Sequence, residues 1–482
     1  MKLISKPLII LSIFLSFGGI CISQQTLLDK IKEIAEAEAQ YAYFSGTVLV
    51  AKNDRILFQG AFGQANRDFQ IPNTLQTKYN IGSITKTFTA LGILQLIEQG
   101  KIKADDTLAK ILPDCPVPEK NEITIHQLLT HTSGLYDYAN ADIVFETLFK
   151  KNIDELIPYV YGSGLLFRPG ADVEYSSGGY VLLGAVIEKM SGMPYIQYVN
   201  EKILKPAQMK NTGLLLAEDV SVNKAAGYKQ LDREKYINRL VIPGFSAGGL
   251  YTTAEDLFRY VQSLFDKKLL SAESLNLLLS PKTKYESDRG KAAYGWWIDT
   301  IGNQEVIYHT GGTPGFSSSL YIFPALKYTA IVLSNSFRGT TGITDLINLA
   351  LTGGDYEIAD QNTFNLRKGI DLYFAGENKD AIQIFNKIIQ SNKPSRRAYY
   401  YSAIARIAEN IDLQNAMEYL DRYIILSDPK SDSELARAWY RKGQAYEKMN
   451  DTQKAIQCYE KSLKLDSGQD DVKIALAKIK IK

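Results

Sequence analysis

The chain is poor in the residues that build disulfide frameworks and metal sites: its 482 residues include three cysteines and three histidines. Cys115 and Cys458 fall in regions of different character, so we expect free thiols and no disulfide between them. His126 and His131 have no cluster of acids or cysteines beside them, and their spacing does not place them on one helical face. A structural role is favoured over metal binding for both, and the sequence implies neither a metal nor an organic cofactor.

An excess of either charge is also missing. The chain has 55 Lys and Arg residues against 53 Asp and Glu residues, with 45% hydrophobic and 22% charged residues. These values are typical of a soluble globular protein, and the length favours more than one domain. The balance gives no reason to expect binding to nucleic acid or to an anionic membrane surface.

Long apolar runs are absent except near the N-terminus. Lys2 and Lys6 form a short basic start, and the apolar run over residues 8–20 is too short to span a bilayer comfortably. Cys21 and Ser23 provide small residues of the kind that a signal peptidase accepts. Residues 1–23 are therefore predicted to be a cleaved secretory signal. The mature protein would be periplasmic or secreted and would carry no integral membrane segment.

Two alternatives for this segment stay open. The first is lipoprotein processing at Cys21, which is disfavoured because Ile20 is larger than the residue that such a site usually accepts. The second is an uncleaved membrane anchor. Removal of Lys2 and Lys6 with the signal would leave 53 basic and 53 acidic residues, so the mature protein would be formally neutral.

Residues 27–355 mix short β-type runs with helical runs, and Gly and Pro are scattered between them. Gly46–Ala51 and Ile56–Phe62 are joined by turn residues and predict a hairpin. Four more short strands are predicted near the end of this region. They are Tyr294–Ile301, Glu305–His309, Ser317–Phe323 and Tyr328–Leu333. Strands at both ends with helices between them predict an α+β domain with an antiparallel sheet covered by helices.

Residues 362–482 contain few Gly or Pro residues and have a helical period throughout. Ala381, Ala416 and Ala455 recur at spacings of 35 and 39 residues, and a large side chain follows each of them four positions later. These large residues are Phe385, Leu420 and Tyr459. The pattern resembles three tetratricopeptide repeats, so this region is predicted to be an all-α helical repeat domain. A generic helical bundle is the alternative.

Ser83 and Lys86 are the first candidates for chemistry. They directly precede the helical run Thr87–Gln99, and residues three apart share a helical face, so the Lys86 amine should lie beside the Ser83 hydroxyl. A serine hydroxyl is a poor nucleophile until a neighbouring base accepts its proton. The same spacing occurs at Ser221–Lys224 and Ser427–Lys430, which look like polar loops, so the pattern is weak by itself.

Two further groups follow Ser83 in the sequence. Tyr175 and Ser177 lie between a Pro-Gly turn and the helical run Tyr180–Met190, so Tyr175 can project from a loop. His309 is predicted to end a strand, after which residues 310–312, Thr-Gly-Gly, expose their backbone. A phenol near a lysine can share its proton and provides a second candidate base. The three groups together predict one cleft.

In this order, the three groups resemble the Ser-x-x-Lys, Tyr-x-Asn and Lys/His-x-Gly motifs of the serine β-lactamase and penicillin-binding protein family. With a tyrosine in the second motif, the sequence is similar in pattern to class C β-lactamases, DD-carboxypeptidases and related esterases and D-aminopeptidases. The resemblance covers about residues 40–340. Residues 128–135 and 246–250 also resemble stretches that frame the active site in that family.

The resemblance implies a role for each group. Ser83 would be acylated, Lys86 and Tyr175 would handle its proton, and His309 would line the cleft, assisting proton transfer or binding a substrate carboxylate. The oxyanion hole would use the backbone amides of Ser83 and Gly312. The neighbouring Ser177, Thr310 and Gly311 would complete the substrate-binding surface.

Two departures from the family pattern bear on the substrate. Ser177 replaces the usual Asn, which weakens the case for recognition of β-lactams or peptidoglycan stems. His309 replaces the Lys of β-lactamases and, at an ordinary pKa, would be largely neutral at pH 7, so activity would rise near pH 6–7. An exported hydrolase of D-amino-acid peptides or small esters is therefore predicted. The alternatives are a weak β-lactamase and a non-catalytic sensor or scaffold that recruits a protein partner through the repeats.

Overall fold

The computed structural model describes residues 17–42, 44–137, 152–160, 164–215, 221–230, 236–238, 245–283, 287, 289–428 and 432–481. Between Ile358 and Ala359 the chain passes from a larger compact unit to a smaller one. In the described part of the chain, no helix combines the length and the apolar character needed to cross a membrane.

The part of the chain from residue 17 to residue 358 contains the following strands: β1 (Gly46–Lys52), β2 (Arg55–Phe62), β3 (Gln64–Asn66), β4 (Ile71–Pro72), β5 (Tyr79–Asn80), β6 (Gly213–Leu214), β7 (Tyr228–Gln230), β8 (Tyr236–Asn238), β9 (Leu250–Thr252), β10 (Lys291–Ala292), β11 (Trp297–Ile301), β12 (Gln304–Thr313), β13 (Phe316–Phe323) and β14 (Tyr328–Ser334). Its helices are α1 (Phe17–Tyr41), α2 (Thr85–Glu98), α3 (Leu108–Ile111), α4 (Ile125–Leu129), α5 (Ile157–Val160), α6 (Ser177–Ser191), α7 (Tyr195–Val199), α8 (Phe245–Gly248), α9 (Ala254–Phe265), α10 (Ala272–Leu279) and α11 (Thr341–Thr352). Short 3-10 turns at Gly82–Ile84 and Pro118–Asn121 and a π-helical turn at Asn200–Leu204 complete it.

Seven strands form one antiparallel sheet in the order β10-β11-β12-β13-β14-β1-β2. Alternate side chains of β1 point to opposite faces. Leu49 and Ala51 join the large core that contains α2 and α6, whereas Val48 and Val50 pack with α1 and α11 on the other face. The predicted antiparallel sheet covered by helices is therefore confirmed.

Two strand predictions need correction. The strand predicted to start at Tyr294 begins at Trp297, because Gly295 adopts a left-handed conformation (φ 77°) that interrupts extended backbone. The strand predicted to end at His309 continues to Thr313, because Gly311 and Gly312 pair with Ser318 and Ser317 of β13. Pairing with a neighbouring strand thus overrides the weak β-propensity of two glycines.

The signal-peptide prediction falls mostly on residues 1–16, outside the described residues, and stays a prediction. Helix α1 begins at Phe17 and continues through the predicted cleavage position after Ser23. Cys115 and Cys458 are both free and buried.

The smaller unit is a series of helices: α12 (Gln361–Phe374), α13 (Asn378–Ile389), α14 (Arg396–Glu409), α15 (Leu413–Ile425), α16 (Asp432–Lys448), α17 (Thr452–Leu465) and α18 (Asp470–Ile481). The three alanines that define the repeat are fully buried, as are the large residues four positions after them. A Cβ atom at Gly369 would lie 2.6 Å from the Phe385 ring, so the glycine lets α12 and α13 approach closely. Gly443 has the same relation to Tyr459 in the last repeat. The predicted helical repeats are confirmed.

Candidate active site

Ser83 lies in the 3-10 turn Gly82–Ile84, directly before α2. The side-chain oxygen of Asn80 accepts the Gly82 N–H at 2.7 Å and helps to fix this turn. Lys86, in the first turn of α2, is fully buried, and its Nζ donates to Ser83 Oγ at 3.1 Å. The serine and the amine predicted to be neighbours are therefore in hydrogen-bond contact.

The Lys86 amine has two further partners. Nζ donates to the Ala247 carbonyl oxygen at 2.7 Å and to Ser177 Oγ at 3.4 Å. The carbonyl can only accept, whereas each serine hydroxyl can donate or accept. The arrangement therefore suits an ammonium group that donates three bonds, and also a neutral amine that receives the Ser83 proton. Lys86 can therefore take part in proton transfer while Nζ keeps its hydrogen-bond partners.

Tyr175 and Ser177 reach the same amine from the start of α6. Ser176 caps this helix by accepting the Gly179 N–H at 3.2 Å, and Tyr175 precedes the cap in a loop. The Tyr175 ring centre lies 4.8 Å from Lys86 Nζ. The Ser177 N–H donates to Asp137 Oδ1 at 3.1 Å, which holds the first turn of the helix in place.

The open edge of β12 forms the opposite wall. Strand β11 pairs with β12 only as far as Tyr308, so within the described part of the chain the stretch from His309 to Thr313 has no strand on that side. A Cβ atom placed on Gly82 would lie 2.8 Å from the Gly312 nitrogen, which shows that the Ser83 turn packs directly on this edge. Ser318 Oγ donates to the Ile81 carbonyl oxygen at 2.7 Å and ties the turn to β13 as well.

His309 is 1% exposed, and its Nδ1 lies 2.6 Å from the Thr310 carbonyl oxygen. Since a carbonyl oxygen only accepts, Nδ1 carries the proton and Nε2 presents a lone pair. Nε2 is buried and has no partner among the described residues. Burial, followed by the charge of Lys86, lowers the pKa of His309 to about 3. The depressed pKa contradicts the ordinary imidazole assumed from the sequence, and a rise in activity near pH 6–7 is not expected to arise from His309.

This shift predicts acid sensitivity. Between pH 6.5 and pH 3 the unfolded chain would protonate residue 309 whereas the folded chain would not, so stability falls as the pH falls. His309→Asn should reduce the loss of unfolding free energy between pH 7 and pH 4 by up to about 3 kcal/mol. Calorimetric melting at the two pH values measures this. An equal loss in both proteins would show that the folded pKa is not depressed.

Sequence reasoning missed two residues of this site. The Arg289 guanidinium lies 4.7 Å from the Tyr175 ring centre, and no carboxylate partner is found for it among the described residues. The centres of the His131 and Tyr175 rings lie 4.6 Å apart, and His131 is buried. Arg289 follows a polar stretch of sequence with no motif, so no local signal marks it. His131 was assigned a structural role only because a metal was the alternative considered.

A cavity of about 380 Å³ adjoins the open strand. Thr310 and Gly312 contribute to its lining, together with Arg338 and Thr340 just before α11. Ser319 and Thr344 also line this cavity, and their hydroxyl oxygens lie 2.7 Å apart, so the cavity lies on the α11 face of the sheet and not beside the Ser83 hydroxyl.

Comparisons with known proteins agree with this geometry. A profile of the β-lactamase family matches residues 31–353, and a tetratricopeptide repeat profile matches residues 436–468. Penicillin-binding protein 4* of Bacillus subtilis is 28% identical over 364 residues, which cover 71% of this chain and 80% of that protein. The protein flp of Staphylococcus aureus (strain MW2) is 29% identical over 318 residues, 64% of this chain and 62% of that protein.

Solved structures show the same relationship. A penicillin-binding protein from Bacillus halodurans is 30% identical, with a TM-score of 0.59 over 67% of this chain and 97% of that chain. A D-amino acid amidase from Ochrobactrum anthropi shares the fold at 21% identity, with a TM-score of 0.58 over 70% of this chain and 99% of that chain. The resemblance carried by the three motifs is confirmed: the chain belongs to the β-lactamase family, and a tetratricopeptide repeat follows the family domain.

Proposed function

We propose that the protein is a serine hydrolase that cleaves an amide or ester through an acyl-enzyme on Ser83. The observation that carries this proposal is the contact between Ser83 Oγ and Lys86 Nζ, with Nζ buried and also bonded to Ser177 and Ala247. A buried amine held against a serine hydroxyl provides the proton acceptor that the hydroxyl needs in order to attack a carbonyl carbon.

Proton transfer would run through the group around Nζ. As Ser83 Oγ attacks, its proton passes to Lys86, either directly or through the Tyr175 hydroxyl, which accepts it as its own proton moves to Lys86. The same proton then protonates the leaving amine or alkoxide as the carbon–heteroatom bond breaks. Water later attacks the ester formed on Ser83 and regenerates the hydroxyl. No cofactor is needed to balance these steps.

The negative charge on the substrate oxygen would be stabilised by the backbone amides of Ser83 and Gly312. Support comes from the packing of the Ser83 turn on the open edge of β12, where no strand competes for these donors. Fixed backbone donors aimed at a developing oxyanion typically contribute about 3 kcal/mol each.

Within this reaction we infer that the substrate is a peptide that ends in a free carboxylate, such as a D-amino-acid peptide. Arg289 supports this choice, because its guanidinium lies 4.7 Å from the centre of the Tyr175 ring and a guanidinium can pair with such a carboxylate. His309, which remains neutral, would accept a hydrogen bond from the substrate through Nε2 and would not bind the carboxylate. A small ester and a β-lactam, hydrolysed weakly, are the alternatives.

The Arg289 assignment predicts a selective loss. Arg289→Gln should raise KM about 10- to 100-fold for a D-alanyl peptide with a free C-terminus, since a charge-assisted bond contributes about 1.5–3 kcal/mol. The same peptide with a C-terminal amide provides the control and should show little change. Steady-state kinetics on the two peptides measure the effect, and equal losses would contradict carboxylate binding.

Covalent labelling tests the acyl-enzyme. The wild-type protein should form a covalent adduct with a fluorescent penicillin or fluorophosphonate, with the label on the peptide that contains Ser83. Ser83→Ala should neither form the adduct nor hydrolyse a chromogenic ester. Turnover at the wild-type rate by the alanine variant would refute the proposal.

We also propose export to the periplasm or the medium, on the basis of the basic start and apolar run in residues 1–23. Mass spectrometry of the protein isolated from cells would give its N-terminal residue. A mature chain starting at Gln24 supports the proposal, a diacylglyceryl-modified Cys21 would identify a lipoprotein, and an intact residue 1 would refute cleavage.

A second function is proposed for the helical unit, namely binding of a protein partner. Arg441 of α16 supports it, because among the described residues its buried Nε has no hydrogen-bond partner, while another nitrogen of its guanidinium donates to Gln444 at 2.8 Å. Tyr373 of α12 lies close to it: burial raises the pKa of Tyr373, and the charge of Arg441 opposes this. Arginine and tyrosine together are frequent in the energetic centres of protein interfaces.

The partner proposal is tested with the full chain. Immobilised wild-type protein should retain a defined partner from a periplasmic extract, Arg441→Glu should lose it, and Arg422→Glu, on α15, should retain it. If all three proteins retain the same partners, or if the wild type retains none, the face around Arg441 does not bind a protein partner.

A further inference from the structure

His131 follows α4 with a left-handed backbone (φ 59°) and is 4% exposed. A residue with a Cβ atom adopts this conformation at some cost, and such residues often lie at functional sites. Its surroundings are aromatic. The Trp297 ring stacks on the imidazole at 5.6 Å, nearly parallel at 4°, and the Tyr175 ring lies 4.6 Å away.

Two hydrogen bonds join His131 to the residues on either side of Tyr175. Its main-chain carbonyl oxygen accepts the Glu174 N–H at 2.9 Å, and its Nδ1 accepts the Ser176 N–H at 3.2 Å. The left-handed turn brings the carbonyl group and the ring of one residue to the same loop. One residue thus holds both neighbours of Tyr175.

The second bond depends on the charge state of the imidazole. Nδ1 can accept an N–H only if it carries no proton. Burial, followed by the charge of Lys86, keeps the pKa of His131 well below its usual range. The ring therefore remains neutral and continues to accept the Ser176 N–H at the pH at which a hydrolase of this kind would work.

We propose that His131 is a positioning residue for the reaction at Ser83: its carbonyl oxygen and Nδ1 fix the segment 174–176, which keeps the Tyr175 ring beside Lys86 and starts α6 so that Ser177 reaches the same amine. This inference rests on the proposed acyl-enzyme function. It assigns the effect to the hydrogen bond at Nδ1 rather than to the bulk of the ring.

Three substitutions separate the hydrogen bond from the packing. His131→Ala removes both. His131→Phe restores an aromatic ring between Tyr175 and Trp297 but offers no acceptor. His131→Asn places an amide oxygen near the position of Nδ1, and asparagine tolerates the left-handed backbone better than most residues. Each variant is first compared with the wild type by circular dichroism and thermal melting.

The alanine variant should lose at least about tenfold in kcat with KM changed less than about twofold, because a loosened base affects the chemical step more than substrate binding. Asparagine should restore kcat to within about threefold of the wild type, whereas phenylalanine should stay as low as alanine. Rescue by phenylalanine and not by asparagine would overturn the proposal in favour of simple packing. Wild-type kcat in the alanine variant would overturn it as well.

Failure of this inference can be told from failure of the proposed function. If Ser83→Ala abolishes turnover and adduct formation but the His131 series does not follow the order given, only the positioning role is wrong. If Ser83→Ala turns over normally, the acyl-enzyme proposal is wrong, and the positioning role falls with it.

Discussion

Replacing Lys86 with methionine is expected to lower kcat/KM about 10²–10⁴-fold, the usual contribution of a positioned proton acceptor. Methionine has a similar length, so the side chain still fills the space between Ser83 and Ala247. The thioether cannot take the Ser83 proton, and the hydroxyl then attacks without assistance. Single-turnover acylation by a labelled penicillin and steady-state hydrolysis of a chromogenic ester measure the loss.

Stability should change much less than activity in this variant. The Ala247 carbonyl oxygen loses its donor, which costs about 1–3 kcal/mol, but a fully buried polar group is replaced by an apolar side chain at the same time. The two effects oppose each other, so the melting temperature should stay close to the wild-type value. Lys189→Met, an exposed lysine on α6, provides the matched control and should retain full activity. Acylation of Lys86→Met at the wild-type rate would exclude the amine as proton acceptor.

The elements nearest to the nucleophile were predictable because their signals are local. The i, i+3 spacing of Ser83 and Lys86 before an apolar helical run predicted their contact, and the turn residues between the β-type runs Gly46–Ala51 and Ile56–Phe62 predicted the first hairpin. Both patterns depend only on neighbours in the sequence. The antiparallel sheet followed from the short connections between its last strands.

The remaining features depend on partners that are distant in the sequence. The extension of β12 beyond His309 follows from pairing with β13, and the low pKa of His309 follows from burial beside Lys86. Arg289 reaches Tyr175 only through the fold, 114 positions away in the sequence. None of these relations leaves a period or motif in the sequence, so the position of Arg289 beside Tyr175 was not predicted and a strand end was misplaced.

The second large effect concerns Gly311, whose replacement by alanine is expected to lower kcat/KM about 10²–10³-fold, the range seen when an oxyanion donor is lost. A Cβ atom at this position would overlap the Ile81 carbonyl oxygen and would lie 2.5 Å from Ser318 Oγ. The same carbonyl accepts the Ser318 hydroxyl at 2.7 Å, so the clash falls on the bond that ties the Ser83 turn to the sheet. The turn must move away from β12, and the amides of Ser83 and Gly312 separate.

Overpacking at such a site also lowers the free energy of unfolding, by about 1–3 kcal/mol. The adjacent Gly312→Ala provides the contrast, because a Cβ atom there meets no heavy atom within 4 Å and the backbone amide is kept. Its melting temperature should match the wild type, and its loss of activity should be at least about tenfold smaller than that of Gly311→Ala. Adduct formation with a labelled penicillin, followed alongside thermal melting, measures both effects. A displaced turn could not keep both amides on one oxygen. If Gly311→Ala acylates and melts like the wild type, the oxyanion hole therefore does not depend on the contact between the Ser83 turn and β12.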